Sequence, residues 1–209
     1  MNTRSLLALA FGCAISTANA AIYSQAPDIG GDGGPYSYSD QMIADRFSLP
    51  SASSFDAVSW WGSYFFEGDP YEIGSTASFD ITVYGDNAGL PGAALYSTSV
   101  DGRISAKAGS SDVSDTVYRF EGAVSAPVLN AGTPYWLSIT ESAFSGFRWH
   151  TSTQGGNYSA VNQGGGWVVE TDRANMAFEL ASTEAVPEPA TLAALTLGGL
   201  ALLRRRRRA

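Results

Sequence analysis

Through the middle of the chain, apolar side chains return at every second position in short runs, and this period of two limits the fold more than any other feature. Phe79, Ile81 and Val83 alternate with Ser78, Asp80, Thr82 and Tyr84, and Tyr135, Leu137 and Ile139 alternate with Trp136, Ser138 and Thr140. The pattern recurs in Phe147, Trp149 and Thr151 and again in Met176, Phe178 and Leu180. Further runs lie at 43–48, 55–64, 94–100 and 116–122. A strand turns successive side chains to opposite faces, so each run has one face to bury. Turn-forming clusters separate the runs at 85–92, 130–132 and 164–166. Residues 26–40, with six glycines and prolines, read as an irregular surface segment. Eight or nine short strands predict an all-β fold, an antiparallel two-sheet β-sandwich of jelly-roll-like type.

The two ends obey different rules. Arg4, the apolar run 6–15 and the small-x-small triplet Ala18-Asn19-Ala20 have the order of an export leader, which predicts a mature chain starting at Ala21. At the other end, residues 190–203 form a run of 14 without charge. That is short beside the roughly 17–25 of a bilayer-crossing helix. Arg204, Arg205, Arg206, Arg207 and Arg208 follow, and their long stems can snorkel to the interface and extend the span. Positive charge stays on the cytoplasmic side, so the expected topology is a C-terminal transmembrane helix with its arginines inside and the middle of the chain outside. Pro187 and Pro189 cannot continue that helix upstream. The expected organisation is therefore a signal peptide at 1–20, an exported domain at 21–185 and a tail at 186–209.

The tail resembles the PEP-CTERM sorting signal of Gram-negative bacteria. The residues that carry the likeness are Val186-Pro187-Glu188-Pro189-Ala190, the apolar run and the terminal arginines. The resemblance implies that an exosortase, a membrane cysteine-type transpeptidase, reads Pro187, Glu188 and Pro189. It also implies an inner-membrane precursor that is delivered to the cell surface or an exopolysaccharide matrix. The body resembles, less specifically, the β-sandwich ectodomains that often precede such tails. Its carrying segments are Val58-Ser59-Trp60-Trp61-Gly62-Ser63-Tyr64, Phe79-Asp80-Ile81-Thr82-Val83-Tyr84, Gly132-Thr133-Pro134-Tyr135-Trp136-Leu137-Ser138-Ile139 and Met176-Ala177-Phe178-Glu179-Leu180.

Composition then removes whole classes of function. The whole chain carries −8, but segment 21–185 holds 19 acidic and six basic residues, a net −13 with His150 neutral. Such a domain is a poor partner for nucleic acid or anionic lipid and suits cations or neutral glycans. The one cysteine, Cys13, lies in the leader, which excludes disulfides, thiol nucleophiles and thiolate metal sites from the exported part.

Few residues offer chemistry. His150 is the only histidine, with no Gly-x-Ser-x-Gly elbow in the chain, so it reads as a partly exposed strand histidine and not as a triad base or zinc ligand. Carboxylate pairs suited to glycoside hydrolysis are Asp69 with Glu72 and Asp86 with Asp101. The acid-rich loop holding Asp69 and Glu72, and the turn at Asp86 and Asn87, are candidate calcium ligands. Aspartate and asparagine also favour turns for backbone reasons alone. Trp60 and Trp61 must face opposite sides of a regular strand, so one of them lies away from the core. Trp61 and Trp167 are thus candidate platforms for sugar rings. The expectation from sequence is a non-enzymatic surface or matrix protein, with a carbohydrate-binding module, calcium-stabilised, as the alternative. A glycan-active hydrolase is the more distant one.

Overall fold

The protein is described here from a computed structural model, in which residues 20–183 are described apart from 32, 39, 65–71, 112–114, 144–145, 155, 157–158 and 172–173. The tail, with Pro187, Glu188, Pro189 and the five arginines, lies outside the described residues, as does the leader. Among the described residues there is no helix, and hence none long and apolar enough to cross a membrane.

Eleven strands are described: β1 (Ala20–Gln25), β2 (Met42–Ser48), β3 (Ala57–Tyr64), β4 (Thr76–Asn87), β5 (Leu90–Ser110), β6 (Thr116–Ala123), β7 (Pro134–Glu141), β8 (Phe147–Trp149), β9 (Ser159–Asn162), β10 (Trp167–Glu170) and β11 (Phe178–Ser182). They form one antiparallel sheet in the order β1-β11-β3-β6-β5-β4-β7-β2-β9-β10, with β8 beside β3. This all-β architecture agrees with the sequence, but the expected two separate sheets are replaced by a single curled one. The cause is β5. Its 21 residues pair with β4 over its first part and with β6 from Arg103 onward, so one strand serves both halves. Register shifts at Ile104/Ala106 and Lys107/Gly109 let it bend between them.

The curl brings strands that are far apart in the order into contact. Tyr23 on β1 and Phe47 on β2 have ring centroids 5.5 Å apart, and Phe47 meets Phe178 of β11 edge-on at 5.9 Å. Inside, Trp60 lies flat on Phe120 at 5.7 Å and takes the edge of Phe79 at 4.9 Å. Phe79, Ile81 and Val83 are all buried, as their alternation predicts. On β7 both faces are buried. Leu137 and Ile139 enter the main core, while Trp136 joins Ala44 and Ala160 under Tyr84 and Trp167 on the opposite side.

The 85–92 cluster is mostly strand. Only Ala88 and Gly89 turn, at φ of 53° and 87°, and β5 begins at once. Two positive φ values match the twist of a two-residue hairpin.

Candidate functional site

Alternation sorts the residues of β3 cleanly. Val58 and Trp60 point into the core, so Ala57, Ser59 and Trp61 lie on the outer face. The register carries that face across neighbouring strands. Glu179 of β11 stands opposite Ser59, Ser59 opposite Glu121 of β6, and Glu121 opposite Arg103 of β5. The next row along is Ala181, Ala57 and Ala123. Small side chains in that row leave room, and charged ones stand around it. The result is a groove of about 410 Å³ lined by Ala57, Ser59, Arg103, Arg119, Glu121, Ala123, Glu179 and Ala181 among others. Ligand clefts run roughly 300–1,000 Å³.

Arg119 organises the groove. Its guanidinium donates to Glu121 Oε1 at 2.5 Å and to Ser59 Oγ at 3.0 Å, and lies 3.7 Å from Glu179 Oε1. The same group sits 5.6 Å from the centre of the Trp61 ring. Trp61, packed on Val117 and Ala177, is therefore only 9% exposed, and its outer face is covered by a cation. Trp167, the other sugar-platform candidate, is half-buried and meets Tyr84 edge-on at 5.5 Å.

Of the predicted carboxylates, Glu72, Asp86 and Asp101 are described and stand apart from one another, and Asp69 lies outside the described residues. Glu72 is exposed in the loop before β4, where its carbonyl accepts the N–H of Ser75. Asp86 is near the far end of β4, roughly 30 Å of extended strand away. It is also already engaged. Oδ1 accepts Trp136 Nε1–H at 2.9 Å and lies 3.2 Å from Arg46 Nε, and Oδ2 accepts the Gly89 N–H at 3.1 Å. Partial burial pushes this carboxyl up, but those bonds and the Arg46 charge outweigh it and hold it below the usual carboxylate range. Asp86 thus locks the β4–β5 hairpin onto β7. Asp101 stands opposite Ser78, eight positions along β4, so the pair Asp86 and Asp101 does not converge. Among the described residues no group of three or more His, Cys, Asp or Glu is placed to hold a metal ion.

His150 is not partly exposed. It is fully buried after β8, with its N–H on the Trp61 carbonyl and its own carbonyl accepting Ala177 N–H. That is a structural position.

Sequence reasoning missed a fully buried carboxylate. Asp45 is 0% exposed, flanked by Ile43 and Phe47 on the inward parity of β2. Oδ1 accepts Gln25 Nε2–H at 3.0 Å, and Oδ2 accepts the Met176 N–H at 2.6 Å. Gln25 also donates to the Tyr23 hydroxyl at 2.9 Å. Burial lifts the Asp45 carboxyl to about 8, against the lowering effect of the Met176 and Gln25 bonds. Burial, with the nearby Asp45 charge, pushes the Tyr23 phenol up to about 12. The parity of Ile43-Ala44-Asp45-Arg46-Phe47 was the signal that could have placed Asp45 inside.

One domain family and one sorting motif match the sequence between residues 21 and 208. The family described as "Domain of unknown function (DUF7901)" matches residues 21–192, most of the chain. The chain belongs to the DUF7901 family. The PEP-CTERM protein-sorting motif matches residues 185–208 and overlaps the end of the DUF7901 match. No curated protein matches the chain. The sorting motif implies an exported, membrane-processed protein that an exosortase handles. The curled sheet is thus what a DUF7901 domain places ahead of that signal in this chain.

Proposed function

We propose that this is a non-enzymatic protein of the cell surface or extracellular exopolysaccharide matrix, released from a transient membrane anchor by exosortase processing. The sorting motif at 185–208 carries the reading. The engagement of the acidic groups supports its non-enzymatic part. Glu121 and Glu179 share the guanidinium of Arg119, Asp86 clamps a hairpin, and Asp45 and His150 are sealed from solvent. Deleting the exosortase gene of the source organism, or replacing Pro187, Glu188 and Pro189 by alanine, is expected to leave an unprocessed, membrane-retained precursor. Unchanged processing in both strains overturns the proposal.

The groove favours a second reading, a carbohydrate-binding surface. Its two arginines and two glutamates balance in charge within an acidic domain and offer paired donors and acceptors to sugar hydroxyls. Here the work passes from open tryptophan faces to the Arg119 cluster. Calorimetric titration with neutral polysaccharides tests it, with binding lost in Arg103→Ala and Glu121→Gln. Calcium would enter as a stabiliser, read as a melting temperature that falls with chelator. An absence of heat across neutral polysaccharides removes this second reading and leaves the first untouched.

A further inference from the structure

The groove around Arg119 has two unlike sides, and strand register builds both. Along one row the side chains carry a charge or a hydroxyl: Glu179 of β11, Ser59 of β3, Glu121 of β6 and Arg103 of β5. Two residues along the strands, roughly 7 Å away, runs a row of Ala181, Ala57 and Ala123. Ala21 of β1 extends this second row through its pairing with Ala181. Both rows lie on the outer face, because Val58 and Leu180 between them enter the core. Four alanines side by side on adjacent strands make an apolar strip about 14 Å long, three strand spacings.

The polar row has hydrogen-bonding capacity to spare. Arg119 engages Glu121 and Glu179 through their Oε1 atoms and donates to Ser59 Oγ. Each carboxylate keeps Oε2 to accept, and Ser59 keeps its own O–H to donate. Arg103, exposed at the β5 end, adds the donors of a second guanidinium. Two positive and two negative groups cancel, so a charged guest gains no net attraction here, and an anionic one is repelled by a domain of net −13. The strip also crosses the strands on their face, where backbone N–H and C=O groups are not presented. An extended peptide therefore finds no ladder to join.

We propose that this groove seats a neutral, linear, β-linked glycan, laid across the strands with its ring faces on the alanine strip and its hydroxyl edge along the row from Glu179 to Arg103. The inference rests on the carbohydrate-binding reading and names the class of sugar chain that the groove takes. In a pyranose chain joined through equatorial bonds, hydroxyls project sideways and axial C–H bonds leave both ring faces apolar. Such a chain is a flat ribbon with one kind of surface for each side of the groove. Its faces bury apolar area on the alanine methyls, and its hydroxyls meet charged donors and acceptors at the edge. An α-linked chain coils and cannot keep successive rings on a flat strip. Side chains larger than alanine would lift the rings away from the polar row.

Calorimetric titration of the full-length chain with cello-oligosaccharides and with malto-oligosaccharides of equal length tests this, since the two series differ only in linkage. The detergent used must carry no sugar headgroup. The cello series is expected to bind at least about tenfold more tightly, with affinity rising until the guest outspans the strip. Ala57→Gln and Ala123→Gln raise the floor and are each expected to weaken that binding about tenfold or more while the melting curve stays near wild type. Ala123 is exposed, so its variant alters the floor without touching the core. Equal affinity for the two series, a preference for the malto series, or cello binding that survives both glutamines overturns the inference and leaves the carbohydrate-binding reading standing. Heat from other neutral glycans but not from the cello series does the same. Silence from every neutral glycan removes both.

Discussion

Gln25 on the first strand of the sheet donates to buried Asp45 on β2 at 3.0 Å, and that bond ties together strands that the hydrogen-bonding order places far apart. It is a side-chain closure where no backbone ladder exists. The bond sits in a dry interior, so its strength depends on whether Asp45 carries a charge.

Between pH 5 and pH 9, stability should therefore depend on pH through this carboxyl. The folded carboxyl, raised to about 8 from 3.8, binds a proton that the unfolded chain has lost between those values. Its contribution is fully present below pH 3.8 and is lost as pH rises through about 8. The slope from this group is at most about 1.4 kcal/mol per pH unit. Urea melts at pH 5 and pH 9 should show wild type losing stability at the higher value, with Asp45→Asn losing clearly less. Identical losses in the two proteins would remove Asp45 as the cause.

Gly102 offers a packing prediction. A Cβ there would come within 2.6 Å of both Trp60 Cζ2 and Phe79 Cδ2. Both rings are fully buried and cannot withdraw, so Gly102→Ala should cost about 1–3 kcal/mol by overpacking. Gly165→Ala, where a Cβ meets nothing within 4 Å, should cost far less on the same denaturation assay.

At the β4–β5 turn the expected effect is a gain. Ala88 holds a φ of 53°, the one non-glycine residue with positive φ among the described residues. A side chain with Cβ is disfavoured there by about 1 kcal/mol. Ala88→Gly or Ala88→Asn should raise the melting temperature by a few degrees. A lowered melting temperature in both would mean that the turn is not of this type.

Arg119→Ala should uncover Trp61. With the guanidinium gone, water reaches the ring, and tryptophan emission should shift to the red and become more accessible to iodide. The fold should lose only about 1 kcal/mol, because the side chain is 32% exposed and its ion pairs are screened. Unchanged quenching would show that Arg119 does not shield the ring.

How far the sequence foretold this depended on what alternation could see. The inward sets Phe79-Ile81-Val83 and Met176-Phe178-Leu180 were legible because one face of each run is apolar throughout. The same parity placed Trp60 and Trp61 on opposite faces but could not say that Arg119 covers the second. β1, β9 and β10 carry too few apolar positions to form a period, and the second half of β5 is too polar. The separate sheets failed for a different reason, since no local pattern tells a strand of 21 residues that it will bridge both halves. The groove was hidden because it is a property of register. Ser59, Glu121, Glu179 and Arg103 are adjacent only across four strands.

The pairing of Ala20 with Ser182 sets both ends of the domain side by side, on the strand from which the tail departs. That strand, β11, is flanked by β1 on one side and β3 on the other, and Asp56 grips Thr183 just beyond it. Tension on a tethered tail would pull β11 along its own length and strain two ladders at once in shear. The alternative, opening one bond after another like a zip, is mechanically much weaker. The domain is thus arranged to resist a pull applied at its C-terminal end.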